Sequence, residues 1–438
     1  MDNALTMKPK QTTATMNKQP KPHSQLSTLH SPFIKEGYKQ TEVGVIPEDW
    51  DTPQLKKLVS YTNGVAHEGV ISEHGDYIVV NSKFVSTEGK IKKRSKKCFL
   101  PATKEDILMV MSDVPKGRAI AKCYRVEKDN LYTVNQRICI LRSNGTNGRL
   151  LFYNLNRNPY YLAFDDGVKQ TNLRKDEVLS CPIPLPPTLA EQKAIAEALS
   201  DADSLIESLQ QLIAKKRLIK QGAMQILLSP WETENLQIEN GELKIENDSS
   251  PQHSQLPTLT PPLKKGWVET TLGEFCKIYQ PTTISSGVFT SHGFPVFGAN
   301  GIVGNYPKFN HEQQQVTLTC RGSTSGTINM TPAYCWITGN SMVICPNEGL
   351  ASKLYLRYAL EKSDTESLIS GSGLPQITRN NVIVFSVFLP PLTEQTRIAT
   401  ILSDMDEEIS TLETKLTKAR QIKQGMTSEL LTGKIRLV

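Results

Sequence analysis

The strongest constraint on this chain is that it repeats itself. LPPTLAEQKAIAEALSDAD, starting at Leu185, returns as LPPLTEQTRIATILSDMD, starting at Leu389. After a one-residue slip the match runs at a constant offset of 203. Glu191 and Gln192 correspond to Glu394 and Gln395, Asp201 and Asp203 to Asp404 and Asp406, and Lys220-Gln221-Gly222 to Lys423-Gln424-Gly425. Roughly 18 of 38 positions are identical in this block, more than shared helix-forming composition produces. Upstream the echo is fainter but in order. Trp50, Leu55 and Leu58 match Trp267, Leu272 and Phe275, while Gly167 and Gln170 match Gly373 and Gln376. HSQLSTL at His23 recurs as HSQLPTL at His253. Coincidence explains one such landmark, not an ordered series. The chain is two half-proteins joined head to tail.

Each half has a polar leader, a variable region, a Pro-Pro mark and a long helix. The boundaries read as a flexible leader (1–35), a first variable domain (36–185), a central helix (186–230), a polar linker (231–262), a second variable domain (263–388) and a C-terminal helix (389–438). Leader and linker are rich in Pro, Ser, Gln, Asn and Lys with few aromatics, which leaves little to bury.

In the first helix apolar residues fall at Ile195, Leu199, Ala202, Ile206, Leu209 and Ile213; in the second, at Ile398, Leu402, Met405, Ile409, Leu412 and Leu416. Alternating steps of four and three mark the narrow seam of a coiled coil. Some 40 residues make a rod of about 60 Å. A lone rod cannot bury its stripe, so the two are expected to pair antiparallel; the competing reading packs each on its own globule. Glu191, Gln192, Asp201, Asp203, Lys220 and Gln221, with Glu394, Gln395, Asp404, Asp406, Lys423 and Gln424, lie largely off the seam and are expected to dock two copies of one partner. Recent common descent is the competing explanation.

The variable regions alternate short β-rich runs (DYIVVNSKFV, DILMVM, RICILR, QVTLTC, SMVICP) with turns and few helices, which predicts β-rich α+β domains rather than a doubly wound sheet. Net charge is +6, compatible with nucleic acid without requiring it. The cations concentrate in KIKKRSKK, where Lys92, Lys93, Arg94, Lys96 and Lys97 are suited to phosphates. Candidate DNA contacts near turns are Arg118, Asn135, Gln136, Arg137, Gln170, Asn172 and Arg174 in the first region. In the second they are Asn300, Tyr306, Lys308, Arg321, Ser323, Thr324, Ser325, Gln376, Thr378 and Arg379. Arg, Asn and Gln grip base edges in bidentate fashion, whereas Lys, Ser and Thr mostly hold phosphates.

Catalytic motifs are missing. There is no GxxxxGK[ST] loop and no HExxH, FGANG at Phe297 lacks a GxG core, and Asp76 with Glu88 is too loose a pair for a nuclease. Eight scattered cysteines without a CxxC pair fit a reducing cytosol, and no apolar run spans a bilayer. The sequence reads as a binder without resident metal or cofactor.

A duplicated frame, PLPP and FLPP lead-ins, helices opening on EQxxIA and closing on IKQGxxxxLL, and a GKIRL end together resemble the specificity subunit of type I restriction-modification systems. The resemblance runs from about Tyr38 to Val438, and its most specific part is the paired helical blocks. GFPVFGANGIVGNYPKFN from Gly293 and GSGLPQITR resemble the opening and close of target-recognition domains. The resemblance implies two target-recognition domains, each reading half of a split, asymmetric DNA site, with the helices as a ruler longer than one duplex turn. It implies docking of two adenine-methylating subunits and, through them, motor-nuclease subunits; S-adenosylmethionine, Mg and ATP belong to those partners. The first domain lacks the FGANG-type opening, and the polar leaders depart from the pattern. Two rival readings are a split-target type II recognition subunit and a protein scaffold with no DNA role.

Overall fold

A computed structural model describes residues 34–67, 69–115, 117–231, 236–239, 242–245, 262–299, 301–370 and 376–437. It divides into two compact units, 1–199 with 425–438, and 200–424. Both long helices are therefore shared, Leu189–Leu227 and Leu392–Leu430 each contributing residues to either unit. The leader up to residue 33 lies outside the described residues.

The first unit is built on an antiparallel sheet in the order Val59–Asn63, Ile138–Ser143, Ile107–Val110, Cys123–Arg125. Ile107–Val110 is buried at every position, so its side chains supply two cores alternately. Ile107 and Met109 join Cys139, Leu141, Leu151 and Tyr161; Leu108 and Val110 join Ile140, Ile78, Phe84 and Tyr132. A second sheet, Lys93–Ser95, Tyr77–Val80, Tyr132–Val134, Pro101–Ala102, contains one parallel pair, Tyr77–Val80 with Tyr132–Val134.

The second unit repeats this wiring. Its main sheet runs Cys276–Tyr279, Ser341–Pro346, Val316–Thr319, Ile328–Met330, all antiparallel. The smaller sheet again has one parallel pair, Phe294–Gly298 with Trp336–Ile337, beside Gly301–Tyr306. The duplication thus extends through regions where sequence identity has faded, because a strand order needs only apolar alternation and turns to persist. Both domains are α+β, as the strand-rich pattern predicted.

Each long helix has 39 residues, about 58 Å of rod. Thr188 starts the first: its hydroxyl accepts from the Glu191 N–H at 3.2 Å and its carbonyl from Gln192 at 3.1 Å. Within the second unit the helices pack antiparallel, with Ile206, Leu209 and Ile213 against Leu412 and Leu416. The seam expected from the sequence is shorter than its periodicity. Ile195 and Leu199 are buried instead with Ile46, Trp50 and Leu150 of the first unit. Ile398 and Leu402 sit in the second unit's core with Tyr355 and Val387, and Met405 packs on that core. Ala202 is half-buried and Ile409 buried. Both readings hold, in different stretches: helix bases pack on globules, helix middles on each other.

The far ends of the helices are also built in. Ala223, Leu227 and Leu228 belong to the second unit's core, while Leu430, with Met426, Leu431 and Leu437 against it, belongs to the first unit's. The linker expected to be structureless contains an antiparallel pair, Leu236–Glu239 with Glu242–Ile245. Asn240-Gly241, a residue pair frequent in hairpin turns, lies outside the described residues.

Candidate nucleic-acid interface

In the first unit three segments meet at one end of the main sheet. The Met111 N–H donates to the Arg137 carbonyl at 2.9 Å, and the Leu173 N–H to the Met111 carbonyl at 2.8 Å. Beyond Met111, Ser112 and Asp113 pair with Asn172 and Thr171. Alternation then decides what shows: Thr171 and Leu173 are buried, while Gln170, Asn172 and Arg174 are exposed. The Gln170 amide donates to Ser112 Oγ at 2.7 Å and to Asn172 Oδ1 at 3.3 Å. Gln136 and Arg137, in the turn before Ile138–Ser143, are exposed beside them; Asn135 is half-buried, its N–H donating to the Val80 carbonyl.

Two loops rise from this end, each tied down by carboxylates. Asp113 accepts from the N–H groups of Val114 (2.9 Å), Ala119 (2.6 Å) and Ile120 (3.1 Å), bracing the turn that carries exposed Arg118. A Cβ on Gly117 would fall 2.1 Å from that carboxylate. Opposite, Asp165 accepts from Gly167 N–H and Thr171 hydroxyl, and Asp166 from Val168 and Lys169 N–H, which lowers the Asp166 pKa. These braced loops leave Val114 64% and Val168 74% exposed, an apolar display the fold itself does not use.

The second unit builds the same end. The Cys320 N–H donates to the Asn340 carbonyl at 3.0 Å, the Ile377 N–H to the Cys320 carbonyl at 2.9 Å, and Arg321 bridges Gln376. Arg321, Ser323, Asn340 and Gln376 are exposed, whereas Thr324 and Ser325 are half-buried in the turn. Equivalent backbone bonds make Gln376 the counterpart of Asn172, correcting the sequence pairing of Gln376 with Gln170 by two residues. Asn340, the counterpart of Arg137, was missed because a lone Gly-Asn before a strand has no motif signal. Asn300 lies outside the described residues.

Other candidates are placed elsewhere. Lys92, Lys93, Arg94, Lys96 and Lys97 are exposed on and beside the strand Lys93–Ser95, whose outer side is covered by Val70–Ser72, with Ser72 N–H donating to the Arg94 carbonyl at 3.0 Å; Arg94 donates to the Gly75 carbonyl at 3.1 Å. Tyr306 packs edge-to-face on Trp336 at 5.1 Å, in the smaller sheet that leads to exposed Lys308. Thr378 caps the helix Arg379–Ile383, its hydroxyl accepting from the Asn381 N–H, and Arg379 donates to the Ile278 carbonyl at 2.8 Å.

The expected docking residues divide sharply. Gln192 is buried, accepting from the Asn147 N–H and donating to the Pro186 carbonyl. Gln395 repeats this, accepting from Ser352 N–H and donating to Leu350 and Pro390 carbonyls. Glu191, 2% exposed, is held by the Arg436 guanidinium, which also grips Asp49 at 2.9 and 3.0 Å. Glu394 bonds Arg397, which lowers its pKa. Nor do Asp203, Asp406, Lys220 and Lys423 lie off the seam. Lys220 pairs with Asp406 at 2.6 Å and Lys423 with Asp203, two bridges that correspond at the offset of 203. Their identity between the copies follows from what each copy must hold together. Asp201, Gln221, Asp404 and Gln424 remain exposed.

Among the described residues no group of three or more His, Cys, Asp or Glu is placed to hold a metal ion, and no helix is long and apolar enough to cross a membrane. Against known proteins, the model of the type I restriction modification DNA specificity domain matches twice, over residues 47–215 and 264–423. The chain belongs to this family. The type I restriction enzyme MjaVIII and MjaIX specificity subunits of Methanocaldococcus jannaschii are 21% and 20% identical to it, over 92% and 91% of this chain and 97% and 96% of their own lengths. A third chain of that organism, bearing the MjaX designation, is 25% identical over 92% of this chain and 98% of its own. The crystal structure of a type I restriction-modification S subunit from M. genitalium superposes with a TM-score of 0.62 at 19% identity, covering 87% of this chain and 96% of that one. The specificity-domain family and the twofold match account for the duplicated wiring, and the family assigns DNA sequence recognition to the chain.

Proposed function

We propose that this chain is the non-catalytic, address-giving subunit of a cytoplasmic type I restriction-modification complex. Each variable domain reads one half of a split, asymmetric DNA target. The carrying observation is the sheet end built twice, with the same backbone bonds but different exposed side chains. Repetition supplies equivalent readers, and divergence lets the half-sites differ, so the target is not a palindrome.

The methyl transfer, its S-adenosylmethionine, and the Mg and ATP of DNA translocation and cleavage belong to partner subunits. Two methylating subunits dock on the surface that the long helices leave open, including Asp201, Gln221, Asp404 and Gln424, and motor-nuclease subunits join through them. The test is DNA binding by the full chain, alone and with its methylating subunit, at 50 and 200 mM salt. Sequence-dependent binding that falls steeply with salt is expected. Salt-insensitive or sequence-blind binding in both states would leave the scaffold reading standing instead.

A further inference from the structure

The two sheet ends carry more than a general address, and this inference rests on the DNA-reading function proposed above. We propose that the base-reading positions are Arg137 and Asn172 in the first unit and their structural counterparts Asn340 and Gln376 in the second. The lysine-rich segment at 92–97 holds phosphates only.

Three observations converge. The four residues are placed by main-chain bonds that recur in both copies: the carbonyls of Arg137 and Asn340 accept from Met111 and Cys320, while Leu173 and Ile377 donate back to those same two residues. Their backbones are thus fixed by the sheet. Their side chains are nevertheless exposed, and among the described residues those of Arg137, Asn340 and Gln376 make no hydrogen bond or ion pair, while Asn172 accepts only from Gln170. A planar amide or guanidinium on a backbone fixed by the sheet, with most of its donors and acceptors unused, is available for bidentate contacts. Finally, the copies differ in chemistry here: Arg suits guanine O6 and N7, whereas Asn and Gln suit adenine N6 and N7. The first half-site accordingly includes a guanine opposite Arg137, and the second relies on adenine at both reading positions.

The lysine-rich segment differs in kind. Its backbone is paired with Tyr77–Val79 on one side and with Val70–Ser72 on the other, the Arg94 guanidinium already donates to the Gly75 carbonyl, and the lysine ammonium groups are point charges suited to phosphate.

The experiment selects bound sequences from random duplex DNA with the full chain in complex with its methylating subunit, comparing wild type with Arg137→Lys, Asn340→Ala and Lys93→Ala. Arg137→Lys keeps the charge and loses the fork. It is expected to relax one position of one half-site, with roughly five- to 150-fold lost discrimination and an unchanged salt slope. Asn340→Ala should relax one position in the other half-site only. Lys93→Ala should weaken all sequences alike and lower the salt slope by about one. Thermal melting confirms that each variant folds as wild type does. If wild type selects a split motif and both reader variants select the same motif at full stringency, the assignment of readers is overturned while the DNA-reading function stands. If wild type selects no motif, the function itself fails.

Discussion

Gln395 separates a structural role from a docking role. It is 0% exposed and makes three hydrogen bonds, from Ser352 N–H at 2.9 Å and to the carbonyls of Leu350 and Pro390 at 3.0 and 2.9 Å. Ser352 caps the helix Lys353–Lys362, so this one amide ties the Pro-Pro lead-in to the domain it leaves. Gln395→Met preserves volume but strands one buried and two part-buried backbone groups. At about 1–3 kcal/mol for each unsatisfied group, partly relieved by relaxation, the cost is roughly 3–5 kcal/mol. For a unit of this size that is a Tm lower by roughly 6–20 °C. Gln192→Met loses two bonds, at 3.1 and 3.0 Å, and should cost roughly 2–3 kcal/mol. Differential scanning calorimetry of the full chain without partners measures both. Two variants that melt like wild type yet fail to bind a methylating subunit would refute the reasoning and restore the docking role.

Three further outcomes are expected. Arg436→Met leaves Glu191, 2% exposed, without its partner and should cost roughly 3–5 kcal/mol; unfolding of the first unit followed at its single tryptophan, Trp50, checks this in a variant whose other tryptophans are replaced. Glu394 has a folded-state pKa below its ordinary value because of Arg397, so its contribution is present above the unfolded pKa and lost as pH falls through the folded one. Glu394→Gln should therefore lower the second unit's melting temperature at neutral pH and flatten its acid limb below about pH 4.5, the difference from wild type vanishing as pH falls through the folded pKa. Gly117→Ala forces a Cβ to 2.1 Å from the Asp113 carboxylate; in filter binding it should weaken specific DNA more than random DNA, since the brace carries Arg118, and equal loss on both would contradict that.

The helices were the legible part of this chain because two demands act on the same residues there. Ile206 and Ile213 must repeat to fill a seam, and Gln192, Lys220 and Asp203 must recur because each copy of the fold needs the same staple or ion pair. The identities were visible, but their cause was not. An exposed docking residue and a buried staple look alike in sequence when the polar side chain is satisfied by backbone groups far along the chain, as Gln395 is by Leu350 and Ser352. The α+β class was legible from apolar alternation. The shared strand order was not, because Ile107–Val110 and Val316–Thr319 keep burial without keeping identity. Arg137, Asn172 and Gln376 could be nominated by residue type near turns. Asn340 could not, since only the bond from Cys320 reveals it as the counterpart of Arg137. The pairing of Leu236–Glu239 with Glu242–Ile245 is hard to read from the sequence because the segment around it is polar in composition.

Genome-wide mapping of methylated adenines in a host carrying this chain with its methylating partner bears most directly on the claim that one polypeptide supplies two unlike readers. A motif of two different half-sites separated by a fixed, unread spacer, with an adenine modified in each half, is predicted. A single contiguous motif, two identical inverted halves, or no motif above background would contradict it.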